Sequence, residues 1–243
     1  MTARELYQAG KLDEAVQALN AELRNNPEDT KRRTFLFELL CFAGNFDRAE
    51  KQLDILSSAS PEAMTGALVY RAALNGERMR REMFEKKEYL TGSTAHEPSG
   101  TLNGKPFEWM TDSDVRIGAR LEVYAAGQYM WIPFEHIASL EMQPPKRLRD
   151  LLWAPMMLHT GPSFQGVELG EVLVPVLAPF SFRHPDDAVR LGRLSVWEEL
   201  DGVEIPFGQK TFLVDGEECP ILELRRLEIA GPEEPPQDHA STQ

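Results

Sequence analysis

The chain has 243 residues, 27% of them charged and 42% hydrophobic, with a formal net charge of −13. That length suits two modest domains or one large one, and the acidity argues against nucleic-acid and anionic-membrane partners, which need a basic surface. Only Cys41 and Cys219 could form a disulfide, so reduced thiols are expected; the N-terminus lacks an apolar signal-peptide core and no run of roughly 18 apolar residues is present, so a cytoplasmic location is expected.

The first 63 residues repeat with a period of 34. Gly10 answers Gly44, Leu12 answers Phe46, Asp13 answers Asp47, Ala15 answers Ala49, Leu19 answers Leu53 and Pro27 answers Pro61. This is the period of the tetratricopeptide helix–turn–helix unit. The Gly permits the tight turn, the Ala lets the helices approach, the Leu and Phe fill the space between them, and the Pro ends the unit. Helices are predicted over residues 3–9, 12–25 and 30–43, followed by a fourth carrying Phe46, Ala49, Leu53 and Leu56. Ser60 is expected to cap a fifth, with Pro61 in its first turn.

After Met64 the repeat decays. Asn75-Gly76 reads as a break, and Glu77 to Leu90 as a separate charged helix. Its Arg78, Arg80, Arg81, Lys86 and Lys87 form a basic island, either a solvated face or a dock for an acidic partner. Residues 91–105 read as a linker rich in Gly, Ser and Thr. The period then changes to two. Strands are expected at 120–124 and 129–132 around an Ala126-Gly127-Gln128 turn, and at 137–142. A short helix over 146–152 should follow Pro144-Pro145, then a strand over 171–177 whose Pro175 marks an edge or bulge. Residues 186–191 suggest one or two helical turns. Asp215-Gly216 marks the clearest hairpin, since that dipeptide suits a type I′ turn. The Pro- and Glu-rich tail from 231 is expected to be disordered.

Some strings in the second half go beyond periodicity. They include Tyr129-Met130-Trp131-Ile132-Pro133-Phe134-Glu135, Leu151-Leu152-Trp153-Ala154-Pro155 and Arg190-Leu191-Gly192-Arg193-Leu194. Another runs from Gly208-Gln209-Lys210-Thr211 through Asp215-Gly216-Glu217-Glu218. In this order, behind decayed repeats, they closely resemble the ImpE family, also called TagJ- or SciE-like, over about residues 3–230. The resemblance implies an accessory protein of a bacterial type VI secretion system. It implies association with the small sheath subunit, TssB, through that subunit's N-terminal helix, and a link to the ATPase ClpV that disassembles contracted sheath. It assigns no binding residues to positions.

The residues themselves offer little catalytic chemistry. His96, His136, His159, His184 and His239 lack metal-ligand spacing, and neither Cys has a partner for a zinc site. Asp112 and Asp114 could form an Asp-x-Asp metal motif, but an Asx turn or helix cap is the simpler role. Ser163 and Ser195 lack a nucleophile elbow. The four tryptophans are expected in the core, with Trp153 pinning the short helix to the sheet.

In a tetratricopeptide stack the first helix of each unit lines the concave side. Lys31, Thr34, Glu38 and Cys41 are therefore the candidate partner-binding residues; the alternative is plain surface, or cover by the second domain. The expected fold is α+β. Tetratricopeptide-like helical hairpins (1–90) precede a linker (91–105), a smaller, mainly antiparallel β domain forming a curled sheet or partial barrel (106–230), and the tail (231–243). The expected function is a non-enzymatic adaptor without cofactor, catalytic or metal residues, binding a helix of the sheath subunit and acting with the ATPase. The alternative is a small-ligand-binding protein or enzyme using the β domain, which a pocket holding Asp112, Glu135 or His136 would favour.

Overall fold

The computed structural model describes residues 1–58, 60–88, 97–164, 166 and 168–230. The tail from 231 and residues 91–96 of the stretch read as linker lie outside them.

Five helices lead the chain: α1 (Ala3–Gln8), α2 (Leu12–Asn25), α3 (Thr30–Phe42), α4 (Phe46–Ser57) and α5 (Pro61–Lys86). The repeat positions do what their spacing requires. Gly10 and Gly44 take left-handed backbone, with φ of 77° and 66°, and turn the chain between paired helices. Leu12, Ala15 and Leu19 in one unit, and Phe46, Ala49 and Leu53 in the next, are buried. Thr2, Asp29 and Ser60 cap α1, α3 and α5 with side-chain acceptors.

The expected break at Asn75-Gly76 does not occur; α5 runs unbroken for 26 residues. Gly76 is there for close approach. A Cβ on it would overlap the ring of Tyr124, which packs against the helix there. The basic island is, apart from Arg80, a solvated face whose cations are ion-paired within the chain. Arg78 pairs with Asp47 and Glu50, Arg81 with Glu85, Lys86 with Glu82 and Lys87 with Asp201, while Arg80 is buried.

The second part begins with short strands β1 (Gly100–Leu102), β2 (Lys105–Phe107) and β3 (Met110–Asp112). Residues 100–102 and 105 are therefore strand, not linker. Asn103-Gly104, at φ of 51° and 79°, makes the turn between β1 and β2. Next come β4 (Arg120–Ala125), β5 (Gln128–Pro133), β6 (Ile137–Met142), β7 (Trp153–Thr160) and β8 (Gly170–Pro175). After a four-residue helix α6 (Asp187–Arg190) follow β9 (Val196–Leu200), β10 (Val203–Phe207), β11 (Thr211–Val214), β12 (Glu217–Pro220) and β13 (Arg226–Ile229). The architecture is α+β, as the change of period implies.

The main sheet has eight strands in the order β2-β1-β13-β6-β7-β8-β4-β5, with antiparallel neighbours. It ends at β2 and β5 and does not close into a barrel. A three-stranded sheet β12-β11-β3 and a two-stranded ribbon β10-β9 complete it. Strand β8 lies between β7 and β4, so Pro175 marks no edge; it is the last residue of an internal strand. Strand β7 escapes sequence reading because Pro155 argues against a central strand. Here β6 ends opposite Met156, so the missing Pro155 amide faces no β6 partner.

The two parts share a core. Tyr124, Leu152, Trp153 and Leu191 belong to the same buried cluster as the repeat helices. Trp153 packs on Phe37 and Tyr70 and donates its indole N–H to Glu77 at 3.0 Å, so it pins the sheet to the helices, not the short turn to the sheet. The C-terminal half also grips the first unit. Asp187 accepts from the Leu12 amide at 2.7 Å, Arg190 pairs with Asp13, and Arg193 donates to the carbonyls of Tyr7 and Gln8.

At the junction sits a buried charge cluster. Arg80 from α5 makes a two-point contact with Glu122 of β4, at 2.7 and 2.9 Å, and donates to the Leu177 carbonyl. Lys210 bonds Glu122 and also Asp112. Tyr129 donates to Glu122 as well. Despite burial, which alone would raise it, the charges of Arg80 and Lys210 hold the Glu122 carboxyl down at about 2. Burial pushes Asp112 up to about 6, against the pull of Lys210.

Two outcomes follow for stability. Gly76→Ala puts a better helix former in a helix interior, yet should destabilise by about 1–3 kcal/mol in urea unfolding, because Tyr124 must move. Glu122→Gln leaves Arg80 and Lys210 short of buried negative charge and should cost about 3–5 kcal/mol at pH 7. Since the folded Glu122 titrates below the unfolded carboxyl, its contribution is present above about pH 4.5. The cost of the substitution should therefore shrink as pH falls towards about 2.

Candidate functional site

The concave side of the repeats carries a groove of about 660 Å³. One wall is α1 and α3, contributing Arg4, Tyr7, Lys31, Thr34, Phe35 and Glu38. The other wall comes from the β part: Pro145, Lys146, Arg147, Leu148 and Leu151. The predicted short helix over 146–152 is a 3₁₀ turn at Leu148–Leu151, held by Asp150, which accepts from the amides of Lys146 and Arg147 at 2.9 Å. Leu148 and Leu151, three apart, fall on one side of so tight a turn and pack against the helical core. Arg149 lies over the Tyr70 ring at 4.6 Å and holds the turn against α5.

Of the four candidate residues, three come together. Lys31 is exposed, Thr34 is half-buried, and Glu38 is 9% exposed at the base of the groove. Cys41, one turn further along α3, does not join them. It is 4% exposed, beside Leu152 and Trp153 on a small cavity of about 30 Å³ between the two parts, and burial pushes its thiol well up. The sheet covers the concave side from this point, so Cys41 meets no partner from solution.

Repeat spacing gave no sign of Arg4, Tyr7 or the 145–151 wall. Tyr7 packs edge-on against Phe35, with Arg4 over that ring at 5.6 Å. The residues were visible as a short first helix and a Pro-bounded turn, but their meeting depends on how the sheet docks.

Burial raises the Glu38 carboxyl to about 7, against the lowering effect of the Arg149 charge. Folding thus shifts this carboxyl towards its protonated form relative to a free glutamate.

The residues weighed for chemistry lie apart from this groove. Asp112 accepts from the Asp114 amide at 2.9 Å, and Asp114 from the Arg116 amide, which are the turn roles expected of them. Asp112 is otherwise committed to Lys210. His136 Nδ1 lies 2.9 Å from Ser163 Oγ, whose hydroxyl donates to the Glu135 carbonyl; bonded that way, the serine has no proton to give the imidazole. Among the described residues, no group of three or more His, Cys, Asp or Glu could hold a metal ion.

Stacked helical hairpins joined to an open antiparallel sheet, with a groove where they meet, define a protein of mixed helical and β construction. The chain belongs to the ImpE protein family, matched over residues 104–228. Residues 6–68 match the tetratricopeptide repeat. Over 94% of its length the chain is 31% identical to the type VI secretion system accessory component TagJ of Pseudomonas aeruginosa, covering 91% of that protein. A protein of Vibrio parahaemolyticus solved by X-ray crystallography shares the fold, with a TM-score of 0.83 at 24% identity, over 95% of this chain and 98% of that one.

Glu38 gives a test of the groove's electrostatics. A carboxyl raised in the folded state stabilises most below its unfolded value, about pH 4.5, and loses that contribution as pH rises through about 7. Glu38→Gln should match the parent near pH 4 and exceed its stability at pH 8 by about 1–3 kcal/mol in denaturant titrations.

Proposed function

We propose that this chain is a non-enzymatic accessory protein of a type VI secretion system. It works in the cytoplasm as an adaptor, holding a helix of the small sheath subunit in the groove between α1, α3 and the 145–151 wall. By doing so it influences how a ClpV-like ATPase handles the sheath. The observation that carries this reading is the groove itself: an open cleft on the concave face of helical hairpins, with aromatic and Leu side chains on its floor. Grooves of that kind receive amphipathic helices, whose apolar side chains recur every three or four residues. Family membership and the TagJ relative support a secretion accessory role for the chain. A catalytic reading through Asp112, Glu135 and His136 finds less support. Asp112 is locked in an ion pair, and the His136–Ser163 bond runs in the wrong sense for a nucleophile and its base.

The test is calorimetric titration of the full chain with a peptide copying the N-terminal helix of the cognate sheath subunit. The helical part alone is not suitable, because Tyr124, Trp153 and Leu191 complete its core. Binding in the micromolar range is expected, with a loss of at least about tenfold in Thr34→Trp, which fills the groove. A chain that binds neither the sheath peptide nor the ATPase would end the adaptor reading.

A further inference from the structure

The charged side chains that line the groove are mostly cationic. The chain carries a net charge of −13, and many of its cations are engaged by its own carboxylates. Arg32, Arg71, Arg78, Arg116, Arg190 and Arg226 are all ion-paired. Others form no ion pair among the described residues: Arg4, Lys31, Lys146 and Arg147, exposed, line this groove, and Arg24, Arg33 and Arg48 line a second cleft that lacks the aromatic lining. The four in this groove come from three separated segments of the chain, so the cluster is assembled by the fold and not by a local run. Glu38 is the one carboxyl lining the groove, and it sits at the base, buried. Between the cations lies an apolar floor of Tyr7, Phe35, Leu148 and Leu151.

We infer that the groove selects an acidic amphipathic helix: apolar side chains on one face seat on the Tyr7–Phe35–Leu148–Leu151 floor, and flanking Asp or Glu side chains meet Arg4, Lys31, Lys146 and Arg147. The inference rests on the reading that this groove is the adaptor's binding face, and it adds the chemistry that the partner must carry. A neutral helix of the same apolar pattern would bring the cations no countercharge, and a basic one would add repulsion. An acidic helix supplies that countercharge and is steered to the groove in a molecule whose overall charge repels it elsewhere. The same rim rejects the many basic helices that an acidic protein would otherwise attract.

The probe is a designed helical peptide of about four turns, with Leu at every third or fourth position and Glu on both flanks, titrated by fluorescence anisotropy onto the full chain. A second peptide carries Lys in place of every Glu. The Glu peptide should bind at least about tenfold tighter than the Lys peptide, and the difference should narrow when salt is raised from about 0.15 to about 0.5 M. The double substitution Lys31→Glu with Arg147→Glu should weaken the Glu peptide at least about tenfold. Both residues are exposed, so circular dichroism should report an unchanged fold. Equal binding of the two peptides, or a Glu peptide indifferent to the double substitution, would overturn the inference. The cognate sheath helix separates the two readings. If it binds while the Glu peptide does not, the charge selectivity is lost and the adaptor reading stands. If the Glu peptide binds and the sheath helix does not, the selectivity stands and the sheath assignment falls.

Discussion

Everything in this molecule is arranged around Glu122. It lies on β4, is fully buried, and is reached by Arg80 from the last helix, by Lys210 just before β11 and by Tyr129 from the neighbouring strand. Buried ion clusters contribute less net stability than their contacts suggest, because desolvation offsets the attraction. Their leverage lies in the cost of misplacement. A helix rotated or a strand slipped by one residue would leave a full charge unpaired in the interior. The cluster thus fixes how the helices sit on the sheet, and that docking in turn builds the groove.

The groove is a composite for the same reason. Its helical wall comes from a repeat whose rules are local, and its other wall from a turn that only the docked sheet can bring near. Trp153 and Arg149 hold that turn in place from either side, one by stacking on Phe37 and Tyr70, the other by covering Tyr70. A tetratricopeptide stack of normal length would leave its concave side open over several units. Here the sheet closes it beyond Glu38, so the open groove is confined to the first unit and a half.

Much of this was legible in the chain itself. The 34-residue period placed four helices within a residue or so, because Gly, Ala and Leu at those spacings answer to local geometry. The hairpins at Ala126-Gly127 and Asp215-Gly216 were legible too, with both residues of each pair in left-handed backbone. Asn103-Gly104 and Asp201-Gly202 carry the same signal and the same geometry, yet their strands were missed. The first pair sat in a polar stretch flanked by strands of three residues, and the second beside a Glu-Glu run without alternation. Asn75-Gly76 misled in the opposite direction. Its glycine answers to Tyr124, which lies 48 positions away in the sequence and which no local rule could supply. Among the site residues the division is the same. Lys31, Thr34 and Glu38 followed from repeat register, whereas the burial of Cys41 and the arrival of Arg147 depend on long-range docking.

The long reach of the contacts also bears on how the chain is made. Arg193 bonds the Tyr7 carbonyl across 186 positions, and Arg80 waits for Glu122, 42 positions later. At roughly 5–20 residues per second, a ribosome exposes the first helices about 10–40 s before the segment that clasps them. During that interval the nascent repeats hold a cation with no buried partner and an aromatic face with no sheet against it. The apparent head-and-body division of the sequence is therefore not a division into two folding steps. The helical half completes its native contacts only when the last third of the chain has left the ribosome.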